Sequence, residues 1–286
     1  SSASYMGYDD LPLVRPLLSW IEANKKTNTP SFAALATNVN HHPWNSPAGW
    51  QTYHFPDTDD TTNKYLNTLR YTDRFVQELI ERFRAKNLLN ETLFVFFGDH
   101  GVSLKEHSLI GAAEDSFEET IKVPILFYTA NQKWLEKHPP TTLRPAQHPV
   151  QNIDILPTLL DILDERNEAP RSIFDAHYFE GRSLVSPQSR VPSDRISWTT
   201  INPGGHAQVF LQNQDKVVFK SSIDAVYYDL AQDPLEKRPF RESELEGEKK
   251  KWFEKAAKLR LLMHHHLPLM WENGTATLKP TLRNGQ

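Results

Sequence analysis

The sequence predicts an α/β fold: a mixed, mostly parallel sheet between helices, followed by a small antiparallel sheet with a terminal helix. Three observations support this prediction. Leu93–Phe97 is an unbroken apolar run, which is typical of a strand buried on both faces. Segments with helical apolar spacing lie before and after this run. Beyond Glu165 the pattern changes to short alternating segments, which favour antiparallel pairing.

The composition is that of a folded protein without unusual charge. Of the 286 residues, 38% are hydrophobic and 24% are charged, which excludes a disordered chain. The net charge of −4 carries no electrostatic signature of a nucleic-acid binder, so no nucleic-acid partner is expected. Cysteine is absent, which excludes disulfides, thiolate metal sites and a cysteine nucleophile within these residues.

The sequence also bears on localisation. No apolar run approaches the roughly 18 residues that a membrane-spanning helix needs, so no transmembrane segment is expected. The segment 1–8 lacks the pattern of an intact signal peptide. Two glycosylation sequons, at Asn90 and Asn273, favour an extracellular or secretory glycoprotein, although the localisation stays open.

The first part of the chain, residues 1–165, is predicted to form the α/β core. Its helices keep apolar residues three and four positions apart, and its strands are short apolar runs between turn residues. Residues 102–119, between two of these elements, are polar and contain glycine, which is typical of a loop at an active site. The predicted elements are a helix over 11–23, a buried strand over 32–39, a helix over 61–86, strands over 93–97 and 123–128, and a helix over 151–163.

The remainder is predicted to form a connection and a second, smaller domain. Residues 166–194 are rich in proline and serine, which indicates a connecting segment on the surface. Residues 195–286 contain four short alternating segments and then a charged amphipathic stretch. We therefore expect a small antiparallel sheet over 196–201, 208–212, 216–220 and 225–230, closed by a helix over 242–263.

The end of the 93–97 strand carries the most informative residues. The apolar run stops at Gly98-Asp99-His100-Gly101, where the glycines permit a sharp turn. Asp99 and His100 are both residue types that bind metals, and strand ends of open α/β sheets are where ligands bind. The sequence therefore predicts a metal site formed by Asp99 and His100.

The order of these motifs resembles the sulfatase family of the alkaline-phosphatase-like superfamily. Each motif is short, but six of them follow one another in the order that this family has. They include the metal-binding strand end, an element similar to Tyr-Glu-Gly-Gly-Val-Arg-Val-Pro, and one similar to Asp-Ile-Leu-Pro-Thr. The matching segments are Tyr65–Asp73, Asn90–Gly101, Phe117–Pro124, Ile153–Leu160, Gly181–Leu184 and Tyr228–Glu236.

The resemblance implies roles for five residues. Asp99 and His100 would hold one divalent metal ion, for which a carboxylate with an imidazole favours Mn²⁺ or Zn²⁺, with Ca²⁺ as the alternative. His41 and His42 align with a His-x-Pro element, which implies a catalytic role for His41 and substrate binding by His42. His107 follows the metal motif, as a catalytic histidine of the family does. His206 and the run 264–266 are interpreted as surface histidines without such a role.

The chain also departs from the family pattern. It has no Cys/Ser-x-Pro-x-Arg nucleophile motif and no upstream pair of metal-binding aspartates, and the position expected for a family lysine is near Ala113. Two explanations stay open: a piece of a longer enzyme, whose missing N-terminal half would be a partner of this chain, or a truncated relative.

The resemblance implies metal-dependent hydrolysis of a sulfate ester, with an anionic ester as the partner of the site. Two alternatives stay open. One is cleavage of a phosphate or phosphonate ester, or phosphoalcohol transfer, on the same fold. The other is a non-catalytic module that binds an anionic glycan or a partner chain, which the missing nucleophile motif favours for this chain alone.

Overall fold

The computed structural model describes residues 9–107, 110–111, 116–137, 150–164, 181–185, 195–200, 207–220 and 225–266. Six α-helices and eight strands lie in this part of the chain. The helices are α1 (Val14–Lys26), α2 (Asp60–Ala85), α3 (Glu118–Ile121), α4 (Gln132–Lys137), α5 (Ile155–Asp164) and α6 (Gly247–His266). The strands are β1 (Phe94–Phe97), β2 (Ser103–Leu104), β3 (Ile110–Gly111), β4 (Ile125–Tyr128), β5 (Ile196–Thr200), β6 (Gln208–Gln212), β7 (Asp215–Phe219) and β8 (Ala225–Asp229).

The contacts between these elements define two compact units. The first comprises Ser1–Phe97, Ser103–Gly111 and Pro124–Pro140, and the second comprises Gly98–Val102, Ala112–Val123 and Thr141–Gln286. These units interleave along the chain, whereas the predicted regions 1–165, 166–194 and 195–286 follow one another. The division of the protein into these three regions stays a prediction.

The core of the first unit lies between two helices and a two-stranded sheet. β1 and β4 pair antiparallel, with Phe94 opposite Tyr128 and Phe97 opposite Ile125. One face of this sheet carries Phe94 and Phe96, which pack against the apolar sides of α1 and α2. The buried members of this core are Val14, Leu18, Phe75, Leu79, Phe83, Leu88, Leu89 and Phe94.

The predicted strand over 32–39 is wrong. The chain there forms neither a helix nor a strand, and Phe32 is 79% exposed. At the end of this segment, the backbone N–H groups of Asn38 and Val39 donate to the carboxylate of Asp10, at 2.9 and 3.1 Å. This carboxylate takes the place of a partner strand, and its burial raises the pKa of Asp10.

The second unit contains the predicted antiparallel sheet. Its strand order is β5-β6-β7-β8, with every neighbouring pair antiparallel. On one face, Val217 and Phe219 pack with Trp252 and Phe253 of α6. On the other face, Val218 belongs to a cluster against which Phe117 and Ile121, in and beside α3, pack. This sheet is therefore covered on both faces, by α6 and by the α3 segment.

The α/β class and the C-terminal sheet with its helix agree with the prediction. The ladders in the described residues are antiparallel, so the parallel part of the predicted sheet is not among them. Within the same residues, no helix combines the length and apolar character required to cross a membrane.

Candidate metal centre

The turn that follows β1 is held at both ends by hydrogen bonds. The side-chain amide of Asn152 donates from Nδ2 to the carbonyl oxygen of Gly98, at 2.8 Å. The backbone N–H of Gly101 donates to the carbonyl oxygen of Thr120, also at 2.8 Å. The four-residue segment 98–101, called the metal turn below, is therefore tied to the 3-10 turn that precedes α5 and to α3.

Both glycines of the metal turn lie too close to a neighbour to carry a side chain. A Cβ on Gly101 would lie 2.1 Å from the carbonyl oxygen of Glu119. A Cβ on Gly98 would lie 2.9 Å from Cβ of Val123. The glycines thus allow the backbone of the turn to approach the α3 segment closely.

Asp99 and His100 lie together and face solvent. Asp99 Oδ2 is 3.7 Å from His100 Nε2, and the two side chains are 86% and 49% exposed. His100 Nδ1 lies 2.8 Å from the carbonyl oxygen of Gly101. With Nδ1 as the donor, Nε2 keeps a free lone pair, which is the arrangement of a metal-binding histidine.

These two groups fit part of a metal site. A carboxylate and a neutral imidazole are a suitable donor set for Mn²⁺ or Zn²⁺. Within the described ranges no group of three or more histidine, aspartate or glutamate side chains forms a metal-binding cluster. A complete site for such an ion would need donors besides these two.

His41 and His42 also lie next to each other, in the first unit. His41 Nδ1 is 2.8 Å from the carbonyl oxygen of His42, so its Nε2 is the nitrogen left for chemistry. The ring of His42 packs edge-on against Trp44, with 5.7 Å between the ring centres. Trp44 is itself fixed, because its indole N–H donates to the carbonyl oxygen of Asn40 at 3.0 Å. Both histidines are exposed.

His107 lies half-buried at the end of the segment after β2. In this segment the carboxylate of Glu106 accepts a hydrogen bond from the backbone N–H of Leu104, at 2.6 Å. The structure thus brings together Asp99 with His100, and His41 with His42. The second unit contains the first pair, and the first unit contains the second pair and His107.

Several residues of interest lie outside the described residues or have no described side chain. His206, Asn273, Ala113 and the segment 1–8 lie outside the described residues. The backbone of residues 264–266 continues α6, and their side chains are not described.

The buried ion pair between Asp154 and Arg195 was not predicted from the sequence. Asp154 is fully buried and forms a two-point ion pair with Arg195, at 2.7 and 2.8 Å. Its carboxylate also accepts hydrogen bonds from the backbone N–H groups of Gln151 and Arg182. The signal was present in the Asp-Ile-Leu-Pro-Thr element, which lies within the predicted helix over 151–163. Asp154 also caps the beginning of this helical segment, because Gln151 and Asp154 form a capping box.

A second buried group joins α3 to the C-terminal sheet. Lys216 has a fully buried side chain and lies 2.6 Å from Glu236 Oε1 and 3.2 Å from Glu118 Oε1. The other oxygen of Glu236 accepts a hydrogen bond from the backbone N–H of Glu118, at 2.6 Å. Despite Lys216, burial raises the pKa of Glu236. We call Glu118, Lys216 and Glu236 the buried triad.

Comparisons with known proteins agree on one family. The sulfatase family model matches residues 2–165, more than half of the chain. The lipoteichoic acid synthase of Staphylococcus aureus is 27% identical over 147 residues, which is 50% of this chain and 22% of that protein. The chain therefore spans less than a quarter of the length of this relative.

Two solved structures show the same fold. The lipoteichoic acid synthase LtaP from Listeria monocytogenes has a TM-score of 0.61 at 16% identity, covering 92% of this chain and 60% of that one. The phosphonate monoester hydrolase of Agrobacterium radiobacter has a TM-score of 0.52 at 17% identity, covering 77% of this chain and 45% of that one. Together with the family match, these likenesses confirm the predicted alkaline-phosphatase-like fold. The chain belongs to the sulfatase family of the alkaline-phosphatase-like superfamily.

Proposed function

We propose that this chain contributes Asp99 and His100 to the divalent-metal site of an enzyme that cleaves anionic esters. The observation that carries the proposal is the exposed pair of a carboxylate and an imidazole on a turn whose backbone is held at both ends. The free Nε2 of His100 supports a ligand role, because its Nδ1 is already engaged with the carbonyl oxygen of Gly101.

We propose a separate task for each of the five predicted residues. Asp99 and His100 would hold the ion, for which we propose Mn²⁺ or Zn²⁺, with Ca²⁺ as the alternative. The ion would neutralise charge on the ester and lower the pKa of a bound nucleophile. His41, through Nε2, would donate a proton to the leaving oxygen, and His42 would bind an ester oxygen. His107 is proposed as a further catalytic histidine.

Two chemistries are compatible with these residues. Sulfate ester hydrolysis is the activity for which the family is named. Phosphate or phosphonate ester cleavage, including phosphoalcohol transfer, is the second candidate. We propose the second as the better supported, because a relative matched by sequence is a synthase, and transfer forms a new ester whereas hydrolysis only cleaves one. The likeness to the phosphonate monoester hydrolase concerns the fold alone.

Among the residues that the structure describes, no third metal-binding side chain joins Asp99 and His100. We propose that another segment of the same protein completes the site with a nucleophile and further metal ligands. Exposed apolar side chains in the first unit support this proposal, since Phe32, Phe97 and Leu126 are each more than half exposed. Phe97 and Leu126 lie on the two-stranded sheet of β1 and β4, and exposed apolar surface on such a sheet is suited to contact with additional strands.

The test compares three aryl esters with the full-length protein. Turnover of an aryl sulfate, an aryl phosphate monoester and an aryl phosphodiester is measured with added Mn²⁺, Zn²⁺ or Ca²⁺, in the presence and absence of glycerol as an acceptor. Phosphodiester cleavage that glycerol accelerates supports transfer, and selective aryl sulfate turnover supports the sulfatase alternative. Asp99→Ala should remove either activity, whereas Asp73→Ala, an exposed carboxylate on α2, should retain it. Absence of turnover under every condition would favour the non-catalytic module.

A further inference from the structure

The conformation of the metal turn is fixed by hydrogen bonds to groups outside it, which orient its peptide planes. The Gly98 carbonyl belongs to the peptide unit that leads into Asp99, so its direction sets where the Asp99 side chain begins. Asn152 determines that direction through the 2.8 Å hydrogen bond from its amide. Asparagine is not a preferred ligand of transition metals. The side chain of Asn152 instead donates a hydrogen bond to a backbone carbonyl group.

The helix that presents Asn152 is itself immobilised. Asn152 is the first residue of a 3-10 turn, Asn152–Asp154, which continues directly into α5. Asp154, two residues later, is fully buried and bonded to the guanidinium of Arg195 at the start of β5. A buried ion pair with two hydrogen bonds has one favourable geometry, so it fixes this helix end against the C-terminal sheet.

The other end of the metal turn depends on the same sheet. Thr120, which accepts the hydrogen bond of Gly101, lies in α3. The buried triad ties the first residue of α3 to Lys216 of β7, and Phe117 and Ile121 pack on the same face of the sheet. The two segments that hold the metal turn, the 3-10 turn with Asn152 and α3, are thus both anchored to the C-terminal sheet.

We infer that Asn152 is a positioning residue of the metal centre, an inference that rests on the proposed role of Asp99 and His100. Its amide holds the Gly98 carbonyl so that the metal turn keeps the conformation in which the side chains of Asp99 and His100 lie 3.7 Å apart. Partners that orient metal ligands typically contribute 10–100-fold to metal affinity. Without this hydrogen bond the turn keeps the one from Gly101 but loses the one at Gly98, so Asp99 and His100 become less ordered.

Asn152→Leu tests the inference, because leucine has a similar size and a good helix propensity but no donor. In the present chain we expect the amide of Gly101 to exchange with solvent about tenfold faster, measured by NMR. In the full-length protein we expect Mn²⁺ to bind about tenfold more weakly, measured by titration calorimetry. Both readouts are independent of turnover.

Asn131→Leu is the matched control. Asn131 also donates from its amide to a backbone carbonyl, that of Asn90, at 2.9 Å, and it lies in the other unit. This variant should lower the melting temperature at least as much as Asn152→Leu, yet leave Gly101 exchange and Mn²⁺ affinity unchanged. A second variant, Asn152→Asp, keeps the shape and suits a helix N-terminus, so it should stay folded while accelerating Gly101 exchange.

The outcomes separate this inference from the proposed function. Unchanged Gly101 exchange and unchanged Mn²⁺ affinity in folded Asn152→Leu and Asn152→Asp proteins would overturn the inference. If instead Asp99→Ala binds Mn²⁺ as tightly as the unaltered protein, the proposed metal role of Asp99 fails. In that case Gly101 exchange alone decides whether Asn152 holds the turn.

Discussion

The ammonium group of Lys216 lies 2.6 Å from a carboxylate oxygen of Glu236, and both side chains are almost completely buried. Lys216 projects from the middle of the C-terminal sheet, and Glu236 belongs to the Asp-Pro-Leu-Glu segment after β8. Glu118, in the Phe117–Pro124 segment, joins this pair as a third member. Glu236 lies in the Tyr228–Glu236 segment, so the three side chains connect two of the six sequence motifs that carry the family resemblance. Two motifs far apart in sequence therefore meet at one buried cation.

Removal of that cation should be costly. Lys216→Met removes the counter-ion of Glu118 and Glu236. The carboxylate of Glu236 is buried, so water cannot solvate it in place of the lost cation. Breaking a buried ion pair from one side typically costs about 3–5 kcal/mol of unfolding free energy. Urea denaturation should show a loss of this size. The additional substitution Glu236→Gln should recover part of it, and a loss below about 1 kcal/mol for Lys216→Met would show that the triad stabilises little.

The glycines of the metal turn should differ in sensitivity. In Gly101→Ala the new methyl group meets a backbone oxygen at 2.1 Å, so the turn or α3 has to move. In Gly98→Ala it meets Cβ of Val123 at 2.9 Å, which is a smaller overlap than that at Gly101, although this atom is also fixed to the backbone and has to move. We expect a stability loss of about 1–3 kcal/mol for Gly101→Ala and clearly less for Gly98→Ala. Equal melting temperatures for the two variants would contradict this order.

The ion pair between Asp229 and Lys249 should make stability depend on acidity. The hydrogen bond from the Lys249 ammonium, at 2.6 Å, holds the pKa of Asp229 below its usual value of 3.8. A carboxyl group with a lowered pKa stabilises the folded state above its unfolded pKa, and this stabilisation is lost as the pH falls through the folded value.

Lys249→Met should therefore be less stable than the unaltered protein at pH 6, by less than about 1 kcal/mol because Lys249 is partly exposed. This difference should shrink below about pH 4. Thermal unfolding of both proteins across this range is the measurement, and Lys250→Met, at an exposed neighbour, serves as the control. A difference that grows on acidification would show that the pair does not act through Asp229.

The residue type at position 100, the proposed second metal ligand, should influence which metal ion binds. His100→Asn replaces an imidazole nitrogen by an amide oxygen, and Ca²⁺ prefers oxygen donors. We expect the ratio of Ca²⁺ to Zn²⁺ affinity in the full-length protein to rise about tenfold or more. Metal analysis after dialysis against a mixture of the two ions measures this ratio. An unchanged ratio would indicate that His100 is not a ligand.

Elements defined by their own residues were predictable from the sequence. The helix predicted over 61–86 is observed at Asp60–Ala85, because its apolar stripe and the cap from Asp59 to the N–H of Thr62 are local. The four strands of the C-terminal sheet also agree within about one or two residues, the usual uncertainty of such boundaries. Alternation along each strand already encodes which side chains face α6.

Features that depend on distant partners were not predictable. The 32–39 strand was wrong because an apolar run becomes a strand only where another strand accepts its hydrogen bonds, and the Asp10 carboxylate takes two of those donors. Asn152 gave no signal, because its partner carbonyl lies 54 residues earlier in the chain. Asp99 and His100 are adjacent, so their proximity followed from the sequence, whereas the groups that orient them did not.

The alternation of side chains between the two faces of β7 limits where insertions can occur in this part of the sequence. Lys216 and Val218 face α3, whereas Val217 and Phe219 face α6. A slip of one residue in pairing would bring an ammonium group among the aromatic rings around Trp252 and leave two carboxylates facing valine. Lys216 thus fixes the pairing register of β7. Insertions are tolerated in the connections before and after this strand, but not between Lys216 and Val218.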